Sequence, residues 1–288
     1  MPINMPTLYL VATPVGNLED ITLRALRILG QVSLIATEDT RTTGQLLKHF
    51  DLRCPLLSYY EHNKVTRLER VLAALEQGDV ALVSEAGTPL FSDPGYELVL
   101  AAIERGFPVV SIPGPSALMA ALPASGLPLD RFLFLGFVPR KAGERRRWLQ
   151  EVATQTATLV CFEAPHRLRE TLADLIDILG QERRIAVCRE LTKLHEEIWR
   201  GTLLEAQQTW SQREPRGEFT LVIAGALPAA NWTAAQVEAA LRETLRAGGS
   251  IKEAVRSVTG QSGWPKREVY ALAQKIKESA NPTGFQNL

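Results

Sequence analysis

TLYLVATPVGN, residues 7–17, joins a short apolar run to a Pro/Gly turn, and the same arrangement returns in VALVSEAGTP at 80–89 and VVSIPGPSA at 109–117. Apolar runs too short for helices, each closed by turn residues and followed by a helix-length amphipathic segment, form the pattern of buried strands in a mainly parallel α/β sheet. Thr7 to Thr13, Val32 to Thr37, Val80 to Ser84 and Val109 to Ile112 are therefore expected as four strands with helices between them. Leu127-Pro128-Leu129-Asp130 interrupts the rhythm. A second set follows at Phe132 to Val138, Thr158 to Phe162, Ile185 to Arg189, Glu197 to Arg200 and Phe219 to Ala224.

The segment Pro165 to Leu179 carries Leu168, Leu172, Leu175 and Leu179 at helical spacing, with Gly180 as its stop. After Ala226 the strand signal ends. Val237, Leu241 and Leu245, then Ile251, Val255 and Val258, then Val269, Leu272 and Ile276 make three apolar stripes, with turns expected at Gly248-Gly249 and Gly260 to Gly263. The 288-residue chain exceeds what one core usually holds. Three domains are expected: 1–125 and 126–227, both α/β, and a helical 228–288 that resembles a helix-turn-helix module, with a frayed polar tail from Ser279.

Hydrophobic residues are 45% and charged residues 22%, which excludes a disordered or fibrous chain. Lys plus Arg and Asp plus Glu are each 32, so an RNA partner has to be met by local basic patches. Cys54, Cys161 and Cys188 form no CxxC, so a reducing compartment is expected and neither a disulfide frame nor a zinc site. No apolar run reaches membrane-spanning length and residues 1–6 lack a leader pattern, so the expectation is a cytosolic protein with no membrane role.

No G-x-G and no GxxxxGK[ST] is present, which argues against nicotinamide chemistry and nucleotide hydrolysis. His195-Glu196-Glu197 lacks the second histidine of HExxH, and Ser116 stands in GPSAL rather than in G-x-S-x-G. What remains is three Gly/Pro turns after strands: Thr13 to Asn17, Glu85 to Pro89 and Pro113 to Ala117. In an open parallel sheet, turns at the carboxyl strand ends border the ligand crevice, and exposed amides at helix starts suit a carboxylate. S-adenosylmethionine combines a carboxylate with a sulfonium and carries no phosphate. Gly and Pro also punctuate βα turns in every α/β fold, so spacing alone leaves both readings open.

LYLVATPVGNLEDIT at 8–22, EDTR at 38–41, SEAGTPLFSDPG at 84–95, IPGPSA at 112–117, EAPHR at 163–167 and RELTK at 189–193 together resemble the bacterial 16S ribosomal RNA cytidine 2′-O-methyltransferases, within the tetrapyrrole methylase superfamily. The similarity spans nearly the whole chain. It implies two α/β domains of the class III methyltransferase type with a small helical C-terminal domain, S-adenosylmethionine as methyl donor with no metal, a homodimer, and 16S ribosomal RNA of the small subunit as partner. Mapped onto this sequence, Pro14, Gly16, Gly87, Thr88, Phe91, Ser116, Ala117 and Phe162 surround the donor. Phe91 and Phe162 have core packing as their alternative role. The family usually has Asp where Glu85 stands.

Transfer to a ribose oxygen is helped by a carboxylate that removes the proton, and Asp39 and Glu85 are the candidates. Arg41, His166, Arg167, Arg189 and Lys193 are candidate RNA contacts within the family motifs. Arg140, Lys141, Arg145, Arg146 and Arg147 stand against the single Glu144, a pattern suited to phosphate neutralisation or to a solvated helix face, with Trp148 as a core anchor. The segment 228–288 carries a net three positive charges. Two rivals are a tetrapyrrole methyltransferase, which has no need of these cations, and a non-catalytic ribosome-assembly factor that binds RNA without turnover.

Overall fold

A computed structural model describes residues 5–60, 64–227 and 232–280. The chain divides into two compact units, Met1–Ala224 and Gly225–Leu288. The first contains both sheets. Strands β1 (Leu8–Val11), β2 (Leu34–Thr37), β3 (Leu56–Ser58), β4 (Val80–Val83) and β5 (Val109–Ile112) pair in the order β3-β2-β4-β1-β5, all parallel. β3 is an addition to the four expected strands. It lies at the sheet edge and its three residues are too few to register as an apolar run.

Helices α1 (Leu23–Leu29), α2 (Thr40–His49), α3 (Lys64–Leu75), α4 (Tyr96–Glu104) and α5 (Ala117–Ser125) follow these strands in turn. Alternate β4 residues serve opposite faces: Ala81 and Val83 pack with Leu29, Leu46 and Leu47, while Val80 and Leu82 pack with Leu72, Leu75 and Leu98. Burial on both faces is why these strands read as continuous apolar runs.

The second sheet comprises β6 (Phe132–Phe137), β7 (Thr158–Glu163), β8 (Arg184–Arg189), β9 (Glu197–Thr202) and β10 (Phe219–Ile223), in the order β6-β7-β10-β8-β9. Only β6 and β7 run parallel; the other three pairings are antiparallel, so the mainly parallel expectation holds for the first sheet alone. Helices α6 (Ala142–Val152), α7 (Leu168–Leu179) and α8 (Leu203–Gln212) join the core on one face. The expected leucine stripe of α7 is buried there, and Pro165–Arg167 forms a separate 3₁₀ turn ahead of it. Leu118 and Leu122 of α5 pack with Val160, Ala186 and Val222 of this second sheet. The expected division near residue 125 thus falls at the end of a helix that already belongs to the second sheet's core.

The second unit holds α9 (Ala234–Arg246), α10 (Ile251–Ser262) and α11 (Lys266–Ala280) around Val237, Leu241, Val255, Val258, Val269 and Ile276. Thr233 and Ser250 start two of the helices with capping boxes. Gly260 and Gln261 lie inside α10 instead of forming the expected turn; the chain breaks at Gly263, where φ is +73°. The expected boundary at 227/228 runs into 228–231, outside the described residues; of the expected frayed tail, Ser279 and Ala280 instead continue α11, and 281 onward is outside the described residues.

Candidate active site

The three turns singled out in the sequence meet at the carboxyl ends of β1, β4 and β5. Thr13 and Gly87 exchange two backbone hydrogen bonds of 2.9 Å, and the Thr88 hydroxyl donates to the Pro115 carbonyl at 3.1 Å. Gly87 adopts φ +80°, and a Cβ there would press on Val15 Cγ1 at 3.3 Å, so both conformation and space select glycine. Ser116 caps α5 without a side-chain hydrogen bond to the helix. The first-turn amides of α5 are thus left to other acceptors.

Residues of the second sheet border the same place. Phe91, half exposed, has its ring 6.1 Å from that of Phe134, which in turn lies 5.1 Å from Phe162 in an edge arrangement. Phe137 adds a contact to Phe162 at 5.3 Å. Gly16 lies against the Lys193 side chain and Thr192, with no room for a Cβ. Gly16, Gly87, Thr88, Phe91 and Phe162 thus sit on loops and strands that converge here, with Pro14 on the β1 turn, Ser116 as the N-cap of α5 and Ala117 as its first residue.

Four carboxylates cluster beside these turns. Asp39 is the N-cap of α2, accepts from the Arg41 amide at 2.8 Å, and pairs with the Arg41 guanidinium at 3.0 Å. The Arg41 side-chain hydrogen bond holds its carboxyl down at about 2. Asp39 is thereby a poor proton acceptor, and Arg41 is engaged with it. Burial raises the Glu38 carboxyl, with repulsion from Glu85 and Asp39 adding to the effect. Asp93 stands in the Ser-Asp-Pro-Gly run ahead of α4, where its residue type would suit a helix cap. The N-cap of α4 is instead Gly95, which makes no side-chain cap.

Burial pushes the Asp93 carboxyl up to about 6, with repulsion from Glu38 and Glu85 reinforcing it and a hydrogen bond to Ser84 opposing it. Its loop is held by left-handed residues, Leu90 at φ +76° and Ser92 at φ +70°. Non-glycine residues there cost about 1–3 kcal/mol each and persist where the surroundings demand them. A part-buried carboxyl tuned toward neutrality is suited to exchange protons near pH 7.

Between α2 and these strand ends lies a cavity of about 340 Å³ lined by Thr13, Leu18, Gln45, His49, Ser84 and Glu85 among others. Thr13 is 3% exposed, and its hydroxyl has no hydrogen-bond partner among the described residues.

The cationic candidates separate into free and engaged groups. Arg145 is 2% exposed and bonded to Asp174 at 2.6 Å, with Glu170 at 3.5 Å. Arg146 bridges Asp174 at 2.5 Å and Asp177 at 3.0 Å, and Lys141 pairs with Glu144 at 3.0 Å. The expectation of five phosphate-binding cations is therefore corrected: Arg145 is an interior brace from α6 to α7, and Arg146 is neutralised. Arg140 and Arg147 are exposed with no ion pair among the described residues, and Trp148 packs on the core.

Arg167 is likewise corrected from RNA contact to brace. It pairs with buried Glu163 at 2.6 Å and donates to the Val138 carbonyl at 2.9 Å. The Ala164 amide at 2.7 Å and the Thr171 hydroxyl complete the satisfaction of Glu163. His166 beside it is exposed. Arg189 pairs with Glu197 at 3.3 Å, and Lys193 with Glu190 and Glu218, both at 2.9 Å. Burial pushes the Cys188 thiol up to about 12 and the Cys161 thiol in the same direction, which leaves neither as a nucleophile.

Among the described residues, no group of three or more His, Cys, Asp or Glu is placed to hold a metal ion, and no helix is long and apolar enough to cross a membrane.

Residues 7–207 match the family model of the tetrapyrrole (corrin/porphyrin) methylases. The chain is 47% identical over 276 residues to the ribosomal RNA small subunit methyltransferase I of Synechocystis sp., an alignment covering 95% of this chain and 99% of that one. It is 47% identical over 272 residues to the protein of the same name from Halalkalibacterium halodurans, covering 92% and 94%. The crystal structure of uroporphyrin-III-C-methyltransferase from Thermus thermophilus superposes with a TM-score of 0.55 at 22% identity, over 75% of this chain and 93% of that one, a likeness of fold alone. With the family model spanning most of the chain and relatives this similar end to end, the chain is a methyltransferase and belongs to the tetrapyrrole methylase family.

Proposed function

We propose that this chain methylates the ribose 2′-hydroxyl of a cytidine in 16S ribosomal RNA of the small subunit, using S-adenosylmethionine, in the cytoplasm. The observation that carries the reading is the meeting of three glycine turns at the carboxyl ends of β1, β4 and β5, with the part-buried Asp93 carboxyl bonded to Ser84 at the end of β4. The donor supplies an electrophilic methyl group on sulfur when bound. Gly87 offers backbone that a side chain would block, the first-turn amides of α5 suit its carboxylate, and Phe91 and Phe162 border it with aromatic surface. Relatives named for small subunit ribosomal RNA support the substrate class.

Asp93 is our choice for the group that accepts the hydroxyl proton. General-base assistance contributes typically about 10²–10⁴-fold. Its carboxyl near 6 is ionised at pH 7 yet basic enough to serve, whereas Asp39 at about 2 is not. Arg140, Arg147 and His166 are the exposed groups proposed to meet RNA; Lys141 and Arg146 contribute only if they exchange their carboxylate partners for phosphate. A homodimer is supported by α4, which exposes Tyr96, Leu100 and Ile103 at intervals of four and three.

The test supplies purified protein with donor labelled in its methyl group, together with small ribosomal subunits or with uroporphyrinogen. Label on 16S RNA only is the expected result. Label on the macrocycle, or on neither, overturns the proposal.

A further inference from the structure

We infer that Phe137 is a stacking platform for a base of the ribosomal RNA strand, and that Arg140 and His166 hold the phosphates beside it. The inference rests on the methyl-transfer reading above and names where the RNA, as distinct from the donor, is gripped.

Strand alternation alone would send Phe137 the other way. Phe134 packs with the core that includes α5, and Leu135 with the core that includes α6, α7 and α8. Side chains alternate between faces, so Phe137 would fall on the side of Leu135. The pairing of β6 with β7 shifts between these residues: Phe134 stands opposite Val160 and Phe137 opposite Phe162, three positions along β6 against two along β7. The added residue turns Phe137 to the α5 side, where its ring lies 5.3 Å from that of Phe162. Gly136 takes up the distortion at φ +68°, and a Cβ there would stand 3.3 Å from Ser92 Oγ, on the loop that carries Phe91 and Asp93. Bulges of this kind re-aim side chains next to active sites.

What the bulge presents to solvent is an aromatic ring. Phe137 is 58% exposed, and through Phe162 and Phe134 its row of rings continues to Phe91. The strands β6 and β7 are parallel, so the loops after Phe137 and Glu163 leave the same end of the sheet. They carry Arg140 and His166, both exposed. Arg140 has no ion pair among the described residues, and the Glu163 carboxylate is buried and taken by Arg167. Uncompensated cations beside an exposed ring match a strand of nucleic acid, whose base stacks on the ring while its phosphates meet the cations. The methyl donor has a base but no phosphate for them. An apolar protein surface seated on Phe137 would desolvate the same cations, which is costly. Every base has a π-face, so the platform grips the strand without choosing its sequence.

The experiment measures methyl transfer to small ribosomal subunits by the full chain. Phe137→Leu, which stays apolar and loses the ring, should raise KM for subunits by about tenfold, with donor affinity by calorimetry at the wild-type value. Phe137→Trp should keep KM near wild type, and its added fluorescence should be quenched when subunits bind. The salt slope of subunit binding should be unchanged in Phe137→Leu and reduced by about one in Arg140→Ala. Three results overturn the inference and leave the methyl-transfer reading intact: an unchanged KM in Phe137→Leu, a parallel loss of donor affinity, which gives the ring to the donor, or altered sedimentation, which gives it to a second copy. No transfer to 16S RNA by the wild type overturns that reading and this one with it.

Discussion

The side chain of Lys193, on the loop after β8, lies directly against the backbone of Gly16, on the loop after β1. Lys193 is pinned in place by Glu190 and Glu218, each at 2.9 Å, and a Cβ on Gly16 would also stand 3.2 Å from the Leu191 carbonyl. The charge therefore holds a latch between the two sheets, and the missing side chain lets it close.

Gly16→Ala forces that latch open. Overpacking of this kind costs about 1–3 kcal/mol. Thermal unfolding should shift down accordingly, and calorimetry should show weaker donor binding; a variant with native stability and native affinity would show that the contact positions nothing.

Arg145→Ala removes a buried cation from Asp174 and Glu170. Breaking a buried pair costs about 3–5 kcal/mol, and the remaining Arg146 contact places this case at the lower end. Chemical denaturation should report the loss. Arg147→Ala, in contrast, should leave stability within roughly 0.5 kcal/mol and lower the salt slope of RNA binding by about one. Equal effects of the two substitutions on RNA binding would mean that Arg145 is presented to RNA after all.

Much of this architecture is legible in the sequence, for identifiable reasons. β1, β2, β4 and β5 announce themselves because packing between helix layers favours short runs dominated by Val, Ile, Leu and Ala. The direction of the strands in the second sheet is not encoded in their hydrophobicity, so its antiparallel pairings were not visible. The run from Arg140 to Arg147 looks like a phosphate-binding patch because the acids that neutralise it, Asp174 and Asp177, lie 28 and 31 positions away from Arg146 on α7. Arg167 is hidden for a different reason: Glu163 is only four residues away, but its burial, which turns the pair into an interior brace, is set by the sheet. Asp93 is the instructive omission. In SDPG it reads as a capping residue, and only the fold brings Glu38 and Glu85 to face it.

Asp93 carries a paired prediction for stability and activity. Its carboxyl titrates near 6 in the folded protein against an ordinary value of 3.8, so the native state holds the proton more tightly than the unfolded chain. Stabilisation from Asp93 is then fully present below about pH 4 and lost as pH rises through 6, since the buried anion is disfavoured. Asp93→Asn should raise stability at pH 7 by roughly 1–2 kcal/mol after discounting for solvent screening, and by little at pH 4. The same variant should lose about 10²–10⁴-fold in methyl transfer, and the wild-type rate should climb through pH 6 to a plateau. A variant that gains stability but keeps its rate would remove Asp93 from the chemistry.

The central claim is that methyl transfer ends on a sugar oxygen. Digesting the reacted 16S RNA to nucleosides and weighing the products by mass spectrometry tests it most directly. The account predicts a single labelled species, cytidine with the added mass on its ribose, absent when Gly87→Arg fills the donor turn. A methyl group found on the cytosine ring, or spread over several nucleosides, would contradict it.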